Sequence, residues 1–216
     1  MCGRFAYHAT SQALREEFAL AEAPDLAPRY NVTPQSRIAV VREGGVALLL
    51  WGLVPFWARD PKPGYALINA KAETVATKPS FREAFKRRRC LIPVSGFYEW
   101  KRGDSGKQPW YMRPADRPLF AFAGLWEHWQ GRGEHAGQTI ESCTIITTAP
   151  NELCATIHDR MPVILDRADY ARWLAEPAAD LLVPYPAQRM AACPVSTRVN
   201  SPRNDGPELI EALAAR

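Results

Sequence analysis

Residues 90–102 read CLIPVSGFYEWKR, followed by GDSGK (103–107) and QPWYMRP (108–114). Two runs rich in branched and aromatic residues flank a short polar segment with two glycines, the pattern of a strand turning back on itself. The same grammar recurs on both sides. RIAVV (37–41) and VALLLW (46–51) flank REGG and read as a β-hairpin. PLFAFAGLWEHW (118–129) passes through a Gly-rich turn into ESCTIITTA (141–149), and ACPVSTRV (192–199) reads as a further strand. MPVIL (161–165) is apolar. The helical segments are short. SQALREEFAL (11–20) has helical periodicity, with Thr10 or Ser11 as cap. SFREAFKRRR (80–89) opens on a capping box, Ser80 with Glu83. NELCATI begins at the cap residue Asn151, DYARWLAE covers 169–176, and PELIEALAAR (207–216) carries Pro207 in its first turn. Strands outnumber helices and do not alternate with them. The class expected is α+β, a single compact domain over 1–216 with a mainly antiparallel, curled sheet system and peripheral short helices.

Composition narrows the setting. The 216 residues are enough to bury a sizeable core, and 19 prolines favour loops over long helices. The Pro-rich segment 24–34 and the stretch GLVPFWARDPKPGY (52–65) read as irregular, the second carrying Phe56 and Trp57 in a loop. The net charge of +4 allows a polyanionic partner without demanding one. Five cysteines, an odd number with no CxxC pair, argue against a disulfide framework and a Cys-rich zinc site. The first fifteen residues hold no apolar signal region, no apolar run is long enough to span a membrane, and Cys2 follows no lipobox. These features point to a soluble protein in a reducing compartment, with no membrane, metal or cofactor.

Several stretches could carry chemistry. The chain opens MCGRFA. Removal of Met1 would leave Cys2 with a free α-amine and a free thiol on one residue. INAKAET (68–74) places Asn69, Lys71 and Glu73 on one face if it is a strand; a polar strand face is an equal reading. In GFYEW, Glu99 lies between aromatic residues, where desolvation raises a carboxyl pKa toward the range of a proton shuttle; an exposed Glu on an edge strand is the plainer alternative. His158 in IHDRMP ends a short helix and is one of four histidines. It suits acid–base work or a structural hydrogen bond equally. Cationic residues (Arg4, Arg29, Lys71, Arg160, Arg203 and the KRRR run 86–89) could meet phosphates, and Phe56 and Trp57 could stack on bases. The KRRR run reads better as a solvated helix face.

MCGRFA, RYNVTP, INAKAET, GFYEW, IHDRMPVIL and NDGPELI occur in this order along essentially the whole chain. The set closely resembles the SRAP (SOS-response-associated peptidase) family. The resemblance implies a compact α+β domain with a β-barrel-like core and a positively charged channel for single-stranded DNA. It implies covalent capture of abasic sites by the exposed N-terminal cysteine, giving a thiazolidine crosslink that shields the lesion in the DNA damage response. Cys2 matches the family nucleophile, and Asn69, Glu99 and His158 match its catalytic Asn, Glu and His. Arg4, Pro34, Phe56, Trp57, Lys71, Thr147 and Arg160 fall on or beside DNA-lining positions. The implied partner is single-stranded DNA with abasic sites, met by a monomer in the bacterial cytoplasm and nucleoid. The family's asparagine motif often reads NAR; Lys71 can hold a phosphate as a point charge but cannot bridge it with two parallel bonds. Phe56 stands where a second tryptophan can occur.

Other functions fit part of the pattern. Class II glutamine amidotransferases also begin Met-Cys-Gly, but usually continue with Ile or Val where this chain has Arg4. Cys2, His158 and Asn69 also suit a self-processing thiol peptidase. A non-catalytic single-strand binder is a third reading. A zinc deaminase is disfavoured, because its H-x-E and P-C-x-x-C signature is absent.

Overall fold

The stretch 90–102 is two strands in two different sheets. In the computed structural model, which describes residues 2–61, 67–103 and 106–214, the chain turns a corner at Ser95. In chain order, the first half holds β1 (Phe5–Tyr7), α1 (Ser11–Glu17), β2 (Arg29–Val32), β3 (Arg37–Arg42), β4 (Gly45–Trp51), β5 (Asn69–Lys71) and α2 (Arg82–Arg87). Then come β6 (Arg89–Val94), β7 (Gly96–Gly103), β8 (Gly106–Pro114), β9 (Phe120–Gln130) and β10 (Thr139–Thr148). The chain finishes with α3 (Glu152–Ala155), β11 (Met161–Pro162), β12 (Ile164–Leu165), α4 (Tyr170–Ala175) and β13 (Met190–Pro194).

One sheet has the order β13-β8-β7-β1-β2 and is antiparallel throughout. The other runs β11-β10-β4-β3-β6-β9-β12, with β5 beside β10. β9 also pairs with β10, so β10, β4, β3, β6 and β9 form a ring of strands. The only parallel pairings among the described strands are β10 with β4 and β5. The fold is α+β, as the sequence predicts.

The corner between β6 and β7 has a local cause. The Ser95 N–H donates to the Ala6 carbonyl at 2.8 Å, and the Ser95 hydroxyl accepts from the His8 N–H at 3.1 Å. Gly96 follows because the Tyr111 ring covers it: a Cβ there would lie 2.1 Å from Tyr111 Cζ. The chain thus leaves one sheet and enters the other between Val94 and Gly96, and the two sheets share an aromatic core. The Phe5 ring packs on Trp51 at 5.2 Å and meets Phe122 edge-on at 6.4 Å. Phe97 and Phe120 each pack edge-on against Phe122 at 5.7 Å.

The predicted hairpin over 37–51 forms, its turn using left-handed backbone at Gly44 and Gly45. Asn151 caps α3 through the Cys154 N–H, and Thr10 caps α1 through the Ala13 N–H.

Several local expectations are corrected. Ser80 and Glu83 form no capping box. α2 starts at Arg82 behind Phe81, which has no side-chain cap and is anchored by burial in the core. The basic run is not a uniform solvated face, because Arg89 belongs to β6 and is 7% exposed. Its guanidinium donates to the carbonyls of Phe85, Trp173 and Leu174, closing the ends of α2 and α4. The strand expected over 192–199 stops at Pro194, and Thr197–Asn200 is a 3-10 turn capped by Ser196. In place of a C-terminal helix there is one 3-10 turn, Pro207–Ile210, and Ala212 then bridges to Val195; residues 215–216 lie outside the described residues. So do 62–65 of the irregular loop and Asp104 and Ser105 of the β7–β8 turn.

The motifs RYNVTP and NDGPELI meet in space. Asp205 accepts the main-chain N–H groups of Tyr30 and Asn31, and the Asn31 amide donates to the carbonyls of Val199, Ser201 and Asn204. This latch occupies the edge strand β2. No helix among the described residues is long and apolar enough to cross a membrane.

Candidate active site

Cys2 lies just before β1, fully buried. β1 pairs antiparallel with β7, Phe5 opposite Phe97, and the Tyr98 N–H donates to the Arg4 carbonyl at 3.0 Å. The chain leading into β1 therefore runs alongside Glu99. Asn69, at the start of β5 on the other sheet, donates from Nδ2 to the Cys2 carbonyl at 2.9 Å. Asn69 Oδ1 is buried and has no hydrogen-bond partner among the described residues. His158 follows α3 and faces Glu99, with Nε2 3.8 Å from Glu99 Oε2. The four residues expected to act together thus converge from four separate segments.

Their surroundings set their protonation. Glu99 is 3% exposed, and this burial pushes its pKa up to about 7, with the negative charge of Asp159 adding to the rise. Burial pushes the Cys2 thiol far above its ordinary value, and the Glu99 carboxylate pushes it further. The thiol is neutral at pH 7. Burial lowers the His158 pKa, while Asp159 opposes this. His158 Nδ1 lies 3.0 Å from the Arg160 N–H and 3.3 Å from the Arg160 carbonyl, while Nε2 faces Glu99. Asp159 Oδ1, also 3.0 Å from Nδ1, is a neighbour the sequence reading did not single out.

The residues expected to line DNA fall into two groups. Lys71, Phe56 and Trp57 are exposed, the two aromatics by 44% and 53%. The Trp57 indole reaches toward the Pro79 carbonyl at 3.5 Å, beside the turn that follows β5. The others are engaged within the protein. Arg4 donates to Asn31 Oδ1 and to the Val199 carbonyl, both at 2.6 Å, so it ties β1 to the latch on β2. Pro34 is half-buried in the turn between β2 and β3. Thr147 is buried on β10 opposite Lys71, and its carbonyl accepts from Arg160 at 2.6 Å. Arg160 also pairs with Glu73. Glu73 does not share the strand face of Asn69 and Lys71, because β5 ends at Lys71 and Glu73 lies in the following turn.

Comparison with known proteins gives a consistent result. A family model described as SOS response associated peptidase (SRAP) matches residues 1–202. The chain is 44% identical to the abasic site processing protein YoqW of Bacillus subtilis, over 98% of this chain and 100% of that protein. It is 33% identical to the abasic site processing protein YedK of Escherichia coli, over 99% and 100% of the two chains. A crystal structure of a protein from Bacteroides thetaiotaomicron superposes with a TM-score of 0.85 at 28% identity, covering 99% of this chain and 100% of that one.

Proposed function

The chain belongs to the SOS response associated peptidase (SRAP) family, and from this premise we propose that it captures abasic sites in single-stranded DNA covalently through Cys2. The observation that carries the proposal is the convergence on Cys2: its carbonyl held by Asn69, with a buried carboxylate of pKa about 7 beside it and an imidazole 3.8 Å from that carboxylate.

The chemistry follows from the groups. Removal of Met1 frees the α-amine of Cys2, which at its ordinary pKa of about 8 is partly neutral at pH 7. An abasic sugar is in equilibrium with its open aldehyde: the anomeric hydroxyl gives up a proton, the ring C–O bond breaks and the ring oxygen gains a proton, with Glu99 and His158 relaying it. The amine adds to the aldehyde carbon, and the carbinolamine loses one water to give an imine. The neutral thiol acts second. Its sulfur bonds to the imine carbon, its proton passes through Glu99, and the imine nitrogen receives that proton as the C=N double bond becomes single. The product is a five-membered thiazolidine. Both nucleophiles belong to one residue, so the closure is intramolecular. Asn69 Nδ2 fixes the Cys2 carbonyl, and the unpartnered Oδ1 suits an N–H of the freed amine. Lys71 and Arg160 meet phosphates, and Trp57 and Phe56 cover bases. A crosslink of this kind shields the lesion during the response to DNA damage.

A thiol peptidase needs a thiolate beside an imidazolium. Here burial and a neighbouring carboxylate hold the thiol neutral, which favours aldehyde capture.

The test mixes Met-processed protein with a single-stranded oligonucleotide carrying one abasic site. A shifted band on a denaturing gel is expected, with the N-terminal peptide carrying the sugar at the summed mass less one water. Absence of the band with Cys2 intact refutes the proposal. A stable, unreduced crosslink from Cys2→Ala refutes the thiazolidine.

A further inference from the structure

Glu73 is the residue of INAKAET that this chemistry leaves unused. Its two carboxylate oxygens fork onto the two terminal nitrogens of Arg160. A phosphate takes a guanidinium in the same two-pronged way. Arg160 is sunk in the surface, its side chain 14% exposed, whereas that of Glu73 is 52% exposed. From beneath, the Thr147 carbonyl accepts one Arg160 nitrogen at 2.6 Å and fixes the plane of the group. The side turned toward solvent carries the Glu73 carboxylate. Arg160 holds that carboxylate below its ordinary pKa, and the exposed Lys71 adds to the effect, so it is an anion at neutral pH. The seat is also tied to the candidate active site, because the Arg160 N–H donates to His158 Nδ1 at 3.0 Å.

We infer that Glu73 is a resident stand-in for a DNA phosphate, seated on Arg160 until a phosphate of the strand displaces it. The inference rests on the single-strand binding proposed above. It has a measurable consequence. When a phosphate replaces Glu73 on Arg160, one anion is exchanged for another, so this contact adds little to affinity or to its salt dependence. With Gln at position 73, the same contact neutralises a cation that had no anionic partner there. It then releases counterions, as an ordinary phosphate contact does.

The experiment is fluorescence polarisation of a labelled, undamaged single-stranded oligonucleotide, titrated at several salt concentrations. Glu73→Gln is expected to bind about two- to fivefold tighter at low salt, the range an exposed ion pair can withhold. The plot of log K against log salt should steepen by about 0.7, the value for one extra phosphate on a single strand. Glu73→Ala should move both quantities in the same direction, and circular dichroism checks that each variant folds. In an Arg160→Gln background, Glu73→Gln should change neither quantity. Binding by Glu73→Gln that is no tighter than wild type overturns the inference. So does a gain that persists undiminished with Arg160→Gln, because that gain would come from general charge. If the wild-type protein binds no single strand even at low salt, the single-strand reading falls and this inference with it.

Discussion

Replacing Glu99 by Gln keeps the shape of the side chain and removes its ionisation, and the structure fixes what each should do. Glu99 is 3% exposed, and its folded-state pKa of about 7 stands against 4.5 for an ordinary carboxyl. Between these two values the folded chain keeps a proton that the unfolded chain has released. Stability therefore falls as pH rises across that window and is level above it. The loss is about 3 kcal/mol at the alkaline end, since each unit of separation is worth about 1.4 kcal/mol. This is a sizeable part of the stability of an ordinary domain. Gln carries no such loss. At about pH 8.5 Glu99→Gln should be more stable than wild type by about 3 kcal/mol, raising Tm by roughly 6–12 °C for a chain of this size. Near pH 4.5 the two proteins should unfold alike. Urea denaturation at the two pH values measures the difference. Crosslinking should move oppositely. The wild-type rate should climb as pH passes through about 7 and the carboxylate forms. The variant should be about a hundredfold slower and flat over the same range, the size of effect expected for loss of one proton-transfer group. Superimposable denaturation curves at alkaline pH, or a stability gain of equal size in acid, would refute the account of Glu99 as a carboxylate held ionised against its surroundings.

Other perturbations separate the surface from the core. Trp57 is 53% exposed, so Trp57→Ala should leave stability within about 0.5 kcal/mol while weakening single-strand binding by about 1–3 kcal/mol; thermal melts and polarisation titrations read the two quantities. Arg89→Leu leaves the carbonyls of Phe85, Trp173 and Leu174 without their donor, and a loss of about 3–5 kcal/mol in urea denaturation is expected with little direct effect on DNA binding.

The parts of the fold legible in the sequence were those written in local chemistry. The hairpin over 37–51 is set by alternating apolar residues around a Gly pair, and the cap at Asn151 by one side chain reaching three residues ahead. Non-local contacts left weaker marks. The corner at Ser95 depends on the Tyr111 ring lying over Gly96, so a run that reads as one strand is cut in two. Arg89 looks like the end of a solvated basic helix until α4 brings its carbonyls over it. At the candidate site, residue types alone left Asn69, Glu99 and His158 open to plainer readings, and the resemblance named them with Cys2 as a set. The Asn69–Cys2 bond was not legible, because it joins the chain before β1 to a strand of the other sheet. The role of Glu73 was hidden for a similar reason: its partner Arg160 lies 87 positions away.

The arrangement around Cys2 bears on the order of events in synthesis. The N-terminal residues leave the ribosome first, yet the groups that surround Cys2 in the fold arrive much later. Asn69 must reach its carbonyl, β7 must form beside β1, and His158 must follow α3 before the set is complete. On the function proposed above, a nascent chain that has lost Met1 carries an aminothiol with no carboxylate or imidazole to serve it. On that function, a residue made early is among the last to be armed, and an unfinished copy is a poor trap for aldehydes.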